Sequence, residues 1–166
     1  VGEWGKDAPF FYRGVDYKIP KKALLIPEDC YQEYDLTSGK KFEFCSKYDI
    51  VLCLEVLEHI PEEHADAAVK LLCSLGDIVL FSAAIPHQGG VGHINEQWQS
   101  WWAAKFEING FRQSVFQIQK LIRDDKMIDI WYRQNMVLYA RDGAGEPVED
   151  YVHPQMYLNI VQSLKG

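Results

Sequence analysis

Apolar residues follow two different periods along this chain. Residues 50–54, Ile-Val-Leu-Cys-Leu, form an unbroken apolar run of the kind that makes a strand buried on both faces, and the strand extends back to Tyr48. Residues 78–81 form a second run of this type. Between the two, Ala65, Ala68, Val69, Leu72 and Cys73 recur at helical spacing and give one apolar face. Pro61 suits the first turn of that helix, where its missing N–H costs nothing, and Glu62 and Glu63 favour the positive end of its dipole. Gly76 ends it.

The flanks are shorter in period. Residues 10–16 read as a short strand ending in Asp16, residues 23–26 as an apolar run closed by Pro27, and residues 31–36 as an extended piece carrying Asp35 near its end. Residues 37–41 make a turn. Downstream of the loop at 85–93, Asn95 is placed to cap a helix bearing Trp98, Trp101, Trp102 and Phe106, which Gly110 ends. Residues 111–116 and 135–140 read as two strands, while 117–132 carry no decisive period. After a loop at 143–149, residues 151–164 form a tail with a short helix following Pro154. Alternating strands and helices, followed by a strand pair, predict an α/β fold: a mostly parallel sheet with helices on both faces and an antiparallel C-terminal pair. The expected organisation is one domain over 1–142, with 143–166 as a tail packed on it.

Composition narrows the function classes. A hydrophobic share of 48% excludes disorder as the main state of the 166 residues. The net charge of −7 and the absence of a basic stripe argue against a long nucleic acid as partner and favour a small-molecule ligand. No apolar run reaches the roughly 18–20 residues of a membrane span, and no signal segment opens the chain, so a cytoplasmic protein without membrane association is expected. Cys30, Cys45, Cys53 and Cys73 show no C-x-x-C spacing and read as reduced thiols rather than zinc ligands.

In α/β sheets ligands bind beyond the carboxyl ends of the strands. Asp16, Asp35 and Glu55 stand at three such ends in succession. Acids also favour strand ends simply as turn formers. More specific is the pattern around them. Gly14-Val15-Asp16, Asp35-Leu36, and Tyr48-Asp49-Ile50-Val51 followed by Leu54-Glu55-Val56-Leu57-Glu58-His59-Ile60 resemble the second, third and fourth strands of class I S-adenosylmethionine-dependent methyltransferases. Further segments are similar to a group of bacterial methyltransferases, some linked to surface-sugar biosynthesis. These are Phe81 with Ser82-Ala83-Ala84-Ile85-Pro86, Gln88-Gly89-Gly90, His93-Ile94-Asn95-Glu96-Gln97-Trp98, Trp131-Tyr132-Arg133-Gln134-Asn135 and Val152-His153-Pro154.

The resemblance implies a Rossmann-like sheet binding S-adenosylmethionine. Asp16 would take the ribose hydroxyls, Asp35 and Leu36 would flank the adenine, and Leu54 and Glu55 would line the floor beneath the cofactor. Of the family's glycine-rich loop only Val1-Gly2-Glu3-Trp4 matches the end, so Gly2 and Trp4 are its candidate cofactor contacts. The first strand, central in that fold, would then lie upstream of Val1 or be replaced. An uncovered sheet edge there would invite pairing, as in a homodimer.

Glu58, His59 and His93 are the candidate catalytic residues. If residues 55–59 form one helical turn, Glu55, Glu58 and His59 share a face. With His93, or failing it His87, they make a ligand set for a divalent metal such as Mg²⁺. The pattern resembles metal-assisted O-methyltransferases, in which a metal lowers the pKa of the acceptor oxygen. In the metal-free alternative, Glu55 packs near the cofactor, His59 braces the next helix, and His93 or His59 serves as general base. His93 as a plain loop hydrogen-bonder also fits. The tryptophans can wall a substrate pocket or fill the core, and Arg133 can meet an anionic acceptor or be structural. The expectation is an O-methyltransferase acting on a small molecule such as a sugar. A non-catalytic binding module on the same fold is the alternative, and a nicotinamide-dependent dehydrogenase is disfavoured by the lack of G-x-G-x-x-G.

Overall fold

The computed structural model describes residues 11–43 and 47–164. The chain divides into two compact units, Val1–Phe42 and Glu43–Gly166. The division therefore falls after residue 42, where the hydrophobic pattern predicts no boundary, and the tail beyond 142 belongs to the second unit.

In the first unit, β1 (Gly14–Asp16) pairs in parallel with β2 (Tyr31–Glu33), Asp16 opposite Glu33. Two 3-10 turns, Lys21–Ala23 and Glu28–Cys30, link them, each preceded by a proline in extended conformation. The apolar run at 23–26 is thus no strand, because Ala23 closes the first turn. Gly14 lets the Ile26 side chain pack close to the strand: a Cβ there would lie 2.5 Å from Ile26 Cδ1, which would have to move aside. The Tyr31 hydroxyl donates to the Asp16 carbonyl (3.1 Å) and accepts from Ile19 N, tying the loop to the strand pair. β2 stops short of the expected 31–36 because Asp35 turns the chain, its Oδ1 accepting from Thr37 N (2.8 Å) and Thr37 Oγ1 (2.7 Å).

The second unit holds a four-stranded mixed sheet. β3 (Val51–Leu54) lies parallel to β4 (Ile78–Ser82), and β6 (Val137–Arg141) runs antiparallel to both β4 and β5 (Phe111–Gln113), giving the order β3-β4-β6-β5. The parallel pair followed by an antiparallel C-terminal pair is the arrangement the strand pattern predicts. α1 (Ala65–Leu75) connects β3 to β4, its predicted face buried at Ala65, Ala68, Val69, Leu72 and Cys73. Gly76 does two jobs. It ends α1, and it lets Tyr48 bridge close by, since a Cβ would meet the Tyr48 carbonyl at 2.6 Å.

Alternation along the strands decides where the core sits. Val51, Cys53, Val79, Phe81, Val137, Tyr139 and Phe111 point to one face and are buried. α2 (Gln99–Ile108) covers that face with Trp102 and Phe106. Phe106 stacks on Tyr139 at 4.0 Å between ring centroids, and Phe81 meets both Trp102 and Phe106. Full burial of such rings is worth about 1.5–3 kcal/mol each. Leu52, on the other face, stays 62% exposed.

Several boundaries differ from the sequence pattern. α2 starts at Gln99, after Trp98, so Asn95 is not its cap; Asn95 is instead buried, its N–H on the Glu58 carbonyl. β5 is cut short at Gln113, whose carbonyl accepts from Gly145 N. Residues 117–132 contain α3 (Ile118–Ile122) and the first half of α4 (Ile130–Asn135), and because α4 runs through Asn135, β6 begins only at Val137. The tail carries α5 (Pro154–Ser163), capped by His153 Nδ1 on Gln155 N, with Pro154 in its first turn. Hydrogen bonds from Ser100 to Asp150, and between Gln134 and the backbone of Tyr151 and His153, hold the tail to α2 and α4.

Candidate functional site

The site of the second unit begins where β3 runs out. Glu55 adopts a positive φ of 53°, a conformation side chains other than glycine rarely take. Its N–H bonds to Ser82 O (2.9 Å) and Ser82 Oγ (3.1 Å) on the neighbouring strand. This kink means that residues 55–59 are not the single helical turn expected. Only Leu57–His59 are helical, as a 3-10 turn. The Glu55 carboxylate is held between two amides, Asn135 Nδ2 on Oε1 (3.1 Å) and Gln88 Nε2 on Oε2 (3.3 Å), and Asn135 also donates to Gln88 Oε1 (3.0 Å).

Glu58 is fully buried. Its Oε1 accepts from Ala84 N (3.3 Å), while Oε2 has no hydrogen-bond partner. Burial, and secondarily the neighbouring Glu55, push its carboxyl up to about 8. His59 follows on the turn, exposed, with Nδ1 at 3.2 Å from the Gly92 carbonyl.

The loop at 85–93 is shaped by backbone that favours glycine. Gly89, Gly90 and Gly92 have positive φ, as does His87. Glu96 organises it from within, accepting from His87 N (2.8 Å), Gly89 N (2.8 Å) and His93 Nδ1 (3.1 Å). The N–H groups of Ile94 and Asn95 both bond to the Glu58 carbonyl, which stitches the loop's end onto the 3-10 turn. The rings of His59 and His93 thereby stand edge to face, 4.9 Å apart. Glu58, His59 and His93 each offer a ligand atom, all within 4.8 Å of one another. The sequence proposed Glu55 as a fourth ligand; in the structure Glu55 lies outside this group, engaged by Asn135 and Gln88.

The remaining predicted residues are spread more widely. Gly2 and Trp4 lie outside the described residues, as does Cys45. In the first unit Asp16 is exposed, its Oδ1 accepting from Tyr17 N, while Asp35 and Leu36 are half-buried. In the second, Leu54 is half-buried beside Glu55. Among the described tryptophans only Trp102 is fully buried; Trp101 carries the Lys105 ammonium over its ring at 3.9 Å, and Trp98 is exposed. Arg133 donates to the Arg123 carbonyl, a structural contact. Cys30, Cys53 and Cys73 are free thiols, as expected. Among the described residues no helix is long and apolar enough to cross a membrane.

Sequence reasoning gave no role to Gln88, Glu96 or Asn135, which position Glu55 and His93. One sign was available. Gln134 and Asn135 are two amides directly before an apolar strand, where burial obliges each to find partners.

No family model matches this sequence, and no curated protein matches it. Among solved structures, it is similar to magnesium protoporphyrin IX methyltransferase (ChlM) from Synechocystis PCC 6803 with bound SAM. The identity is 24% over 67% of this chain and 45% of that one, with a TM-score of 0.45. It is also similar to LepI in complex with SAM (11% identity, 78% and 36% covered, TM-score 0.47) and to PKMT2 from Rickettsia typhi in complex with AdoHcy (10%, 73% and 40%, 0.44). The chain spans less than half the length of each of these structures.

Proposed function

We propose that this chain is part of a class I S-adenosylmethionine-dependent methyltransferase that methylates an oxygen of a small molecule, a sugar being the favoured class. The observation that carries this reading is the strand-end arrangement. The segment resembling the family's fourth strand is β3, it lies parallel to β4, and it delivers Glu55 at a kink tied to β4. The antiparallel β6 and β5 that follow agree with the family's C-terminal pair. The alternative, a non-catalytic binding module, shares this fold and differs in what it turns over.

The residues present suit the cofactor. Asp16, exposed at the end of β1, offers a carboxylate to vicinal ribose hydroxyls, and its backbone is braced by Tyr31 and Tyr34. Asp35 is held in its turn by Thr37 beside the apolar Leu36, the combination expected around an adenine ring. When bound, S-adenosylmethionine supplies an electrophilic methyl group on a sulfonium. The chain's part is to orient and to accept a proton. The amides of Asn135 and Gln88 lock the Glu55 carboxylate in one rotamer, and Glu96 and the Gly92 carbonyl fix the two imidazoles through Nδ1. An acceptor hydroxyl placed at His59 and His93 can lose its proton there, and alignment of donor and acceptor supplies most of the rate.

Calorimetric titration of the full-length protein with S-adenosylmethionine and S-adenosylhomocysteine tests the reading. Both are expected to bind, and an Asp16→Ala variant should bind about 10-fold or more weakly, as for loss of a charged hydrogen bond. Absence of any binding heat with either ligand rejects it. Turnover of a sugar acceptor separates enzyme from binding module.

A further inference from the structure

We propose that Glu58, His59 and His93 form a binding site for a first-row divalent transition-metal ion, with Zn²⁺ as the representative ligand. This is a narrower set, and a different class of metal, than four residues around Mg²⁺. Four observations carry the proposal.

First, the three ligand atoms already lie within 4.8 Å of one another. Ligands of one such ion, each at about 2.0–2.2 Å from it, stand roughly 3–3.5 Å apart, so a contraction of about an ångström completes the set. Second, both imidazoles are oriented through Nδ1. The Gly92 carbonyl (3.2 Å) and the Glu96 carboxylate (3.1 Å) can only accept, so each Nδ1 carries the hydrogen and each Nε2 presents its lone pair. A carbonyl or carboxylate behind the ring is the usual support of a metal-binding histidine. Third, Glu58 is fully buried, and its Oε2 meets no hydrogen-bond donor, its carboxyl neighbour being Glu55. A cation provides the partner this oxygen lacks. Fourth, Gly90 packs its backbone closely against the His93 imidazole and so helps fix the ring: a Cβ there would lie 2.4 Å from both Nε2 and Cε1 and 2.9 Å from Cδ2.

Two nitrogens and one carboxylate oxygen suit zinc, manganese or ferrous iron, whereas Mg²⁺ favours an octahedral set of oxygens. Three protein ligands leave a coordination position for an exogenous oxygen. In the methyl-transfer reading that position would be open to the acceptor's hydroxyl, and the ion would then replace the two imidazoles as the group that promotes its deprotonation. This last point alone rests on that reading; binding of the ion does not.

The test is direct titration of the chelator-treated full-length protein with Zn²⁺, and separately with Mg²⁺, by calorimetry, followed by Co²⁺ substitution read by visible absorption. No S-adenosylmethionine is added, so failure of the methyl-transfer reading leaves the result unaffected. One Zn²⁺ should bind per chain, at least roughly 100-fold tighter than Mg²⁺. His59→Ala and His93→Ala should each lower the affinity 10-fold or more, Gly90→Ala should also lower it, and Glu96→Gln should lower it roughly 10–100-fold. His87→Ala, on the same loop but outside the cluster, should bind as the parent does. His59 is exposed, so its variant folds normally and keeps the test informative if a Glu58 variant does not fold. The proposal is overturned if Zn²⁺ does not bind, if it binds equally well to the His59→Ala and His93→Ala variants, or if Mg²⁺ binds as tightly.

Discussion

The acids at the strand ends fall into two kinds. Asp16 and Asp35, in the first unit, are held by their immediate neighbours, Tyr17 and Thr37, and Asp16 faces water. Glu55 and Glu58, in the second, are held by groups 26 to 80 positions away, and Glu58 is sealed from solvent. The first kind is available to a ligand at little cost to the fold. The second kind is part of the fold, so any change to it acts on stability and on chemistry together. The contrast separates residues that can be altered cleanly from those that cannot.

The strongest way to break this contrast is to remove the platform under the second pair. Phe106→Ala deletes the ring stacked on Tyr139 beneath the sheet and should destabilise the second unit by about 3–5 kcal/mol, measured by urea unfolding. A loss under about 1 kcal/mol would show that the aromatic cluster is not what holds the sheet. Next is Asn135→Ala, which strips the Glu55 carboxylate and Gln88 of one amide donor. A cost of about 1–3 kcal/mol is expected, and, on the proposed function, affinity for S-adenosylmethionine should fall in parallel, since Glu55 is then free to change rotamer. An unaltered stability would mean that water replaces the amide and that Glu55 belongs with the first kind of acid.

Asp16→Ala sharpens the comparison from the other side. Its stability should change by less than about 0.5 kcal/mol while, on the proposed function, affinity for S-adenosylmethionine drops, a dissociation of the two readouts that Glu55 variants should not show. Smallest is Asp77, at the start of β4, where the Arg141 guanidinium and the Lys47 ammonium hold the carboxyl below its ordinary value. A lowered folded-state pKa stabilises above the unfolded pKa, and that contribution disappears as the pH falls through the folded value. Asp77→Asn should therefore be slightly less stable than the parent at neutral pH and converge with it in acid. A gap that does not narrow as the pH is lowered would assign the effect to packing instead of charge. The thiols give a further check on burial. Cys53 and Cys73 are pushed up to about 12 by desolvation, so both should resist alkylation at neutral pH until the protein unfolds.

How far the sequence could be read depended on the range of the interactions involved. β3, α1 and β4 were legible because each has a strong period of its own, and Gly76 marks the end of α1 by a local rule. The helical turn at 55–59 was misread because nothing near Glu55 announces a positive φ; the kink is imposed by Ser82, 27 residues away. Asn95 has the chemistry of a helix cap, yet its N–H is drawn to the Glu58 carbonyl and α2 starts later. At 135 the strand pattern was right in kind and late in onset, because Asn135 completes α4 before the chain turns into β6.

By itself the sequence determined the alternation of strand and helix, the face each buries, and which residue types gather after residue 54, because periodicity and side-chain chemistry are properties of neighbours along the chain. Only the tertiary structure decided that His93 comes to His59, that Glu58 is buried with one oxygen unpartnered, and that Glu55 belongs to Asn135 and Gln88. Those pairings join residues tens of positions apart, and buried polar groups accept whichever partner the packed sheet and loop bring within hydrogen-bond distance.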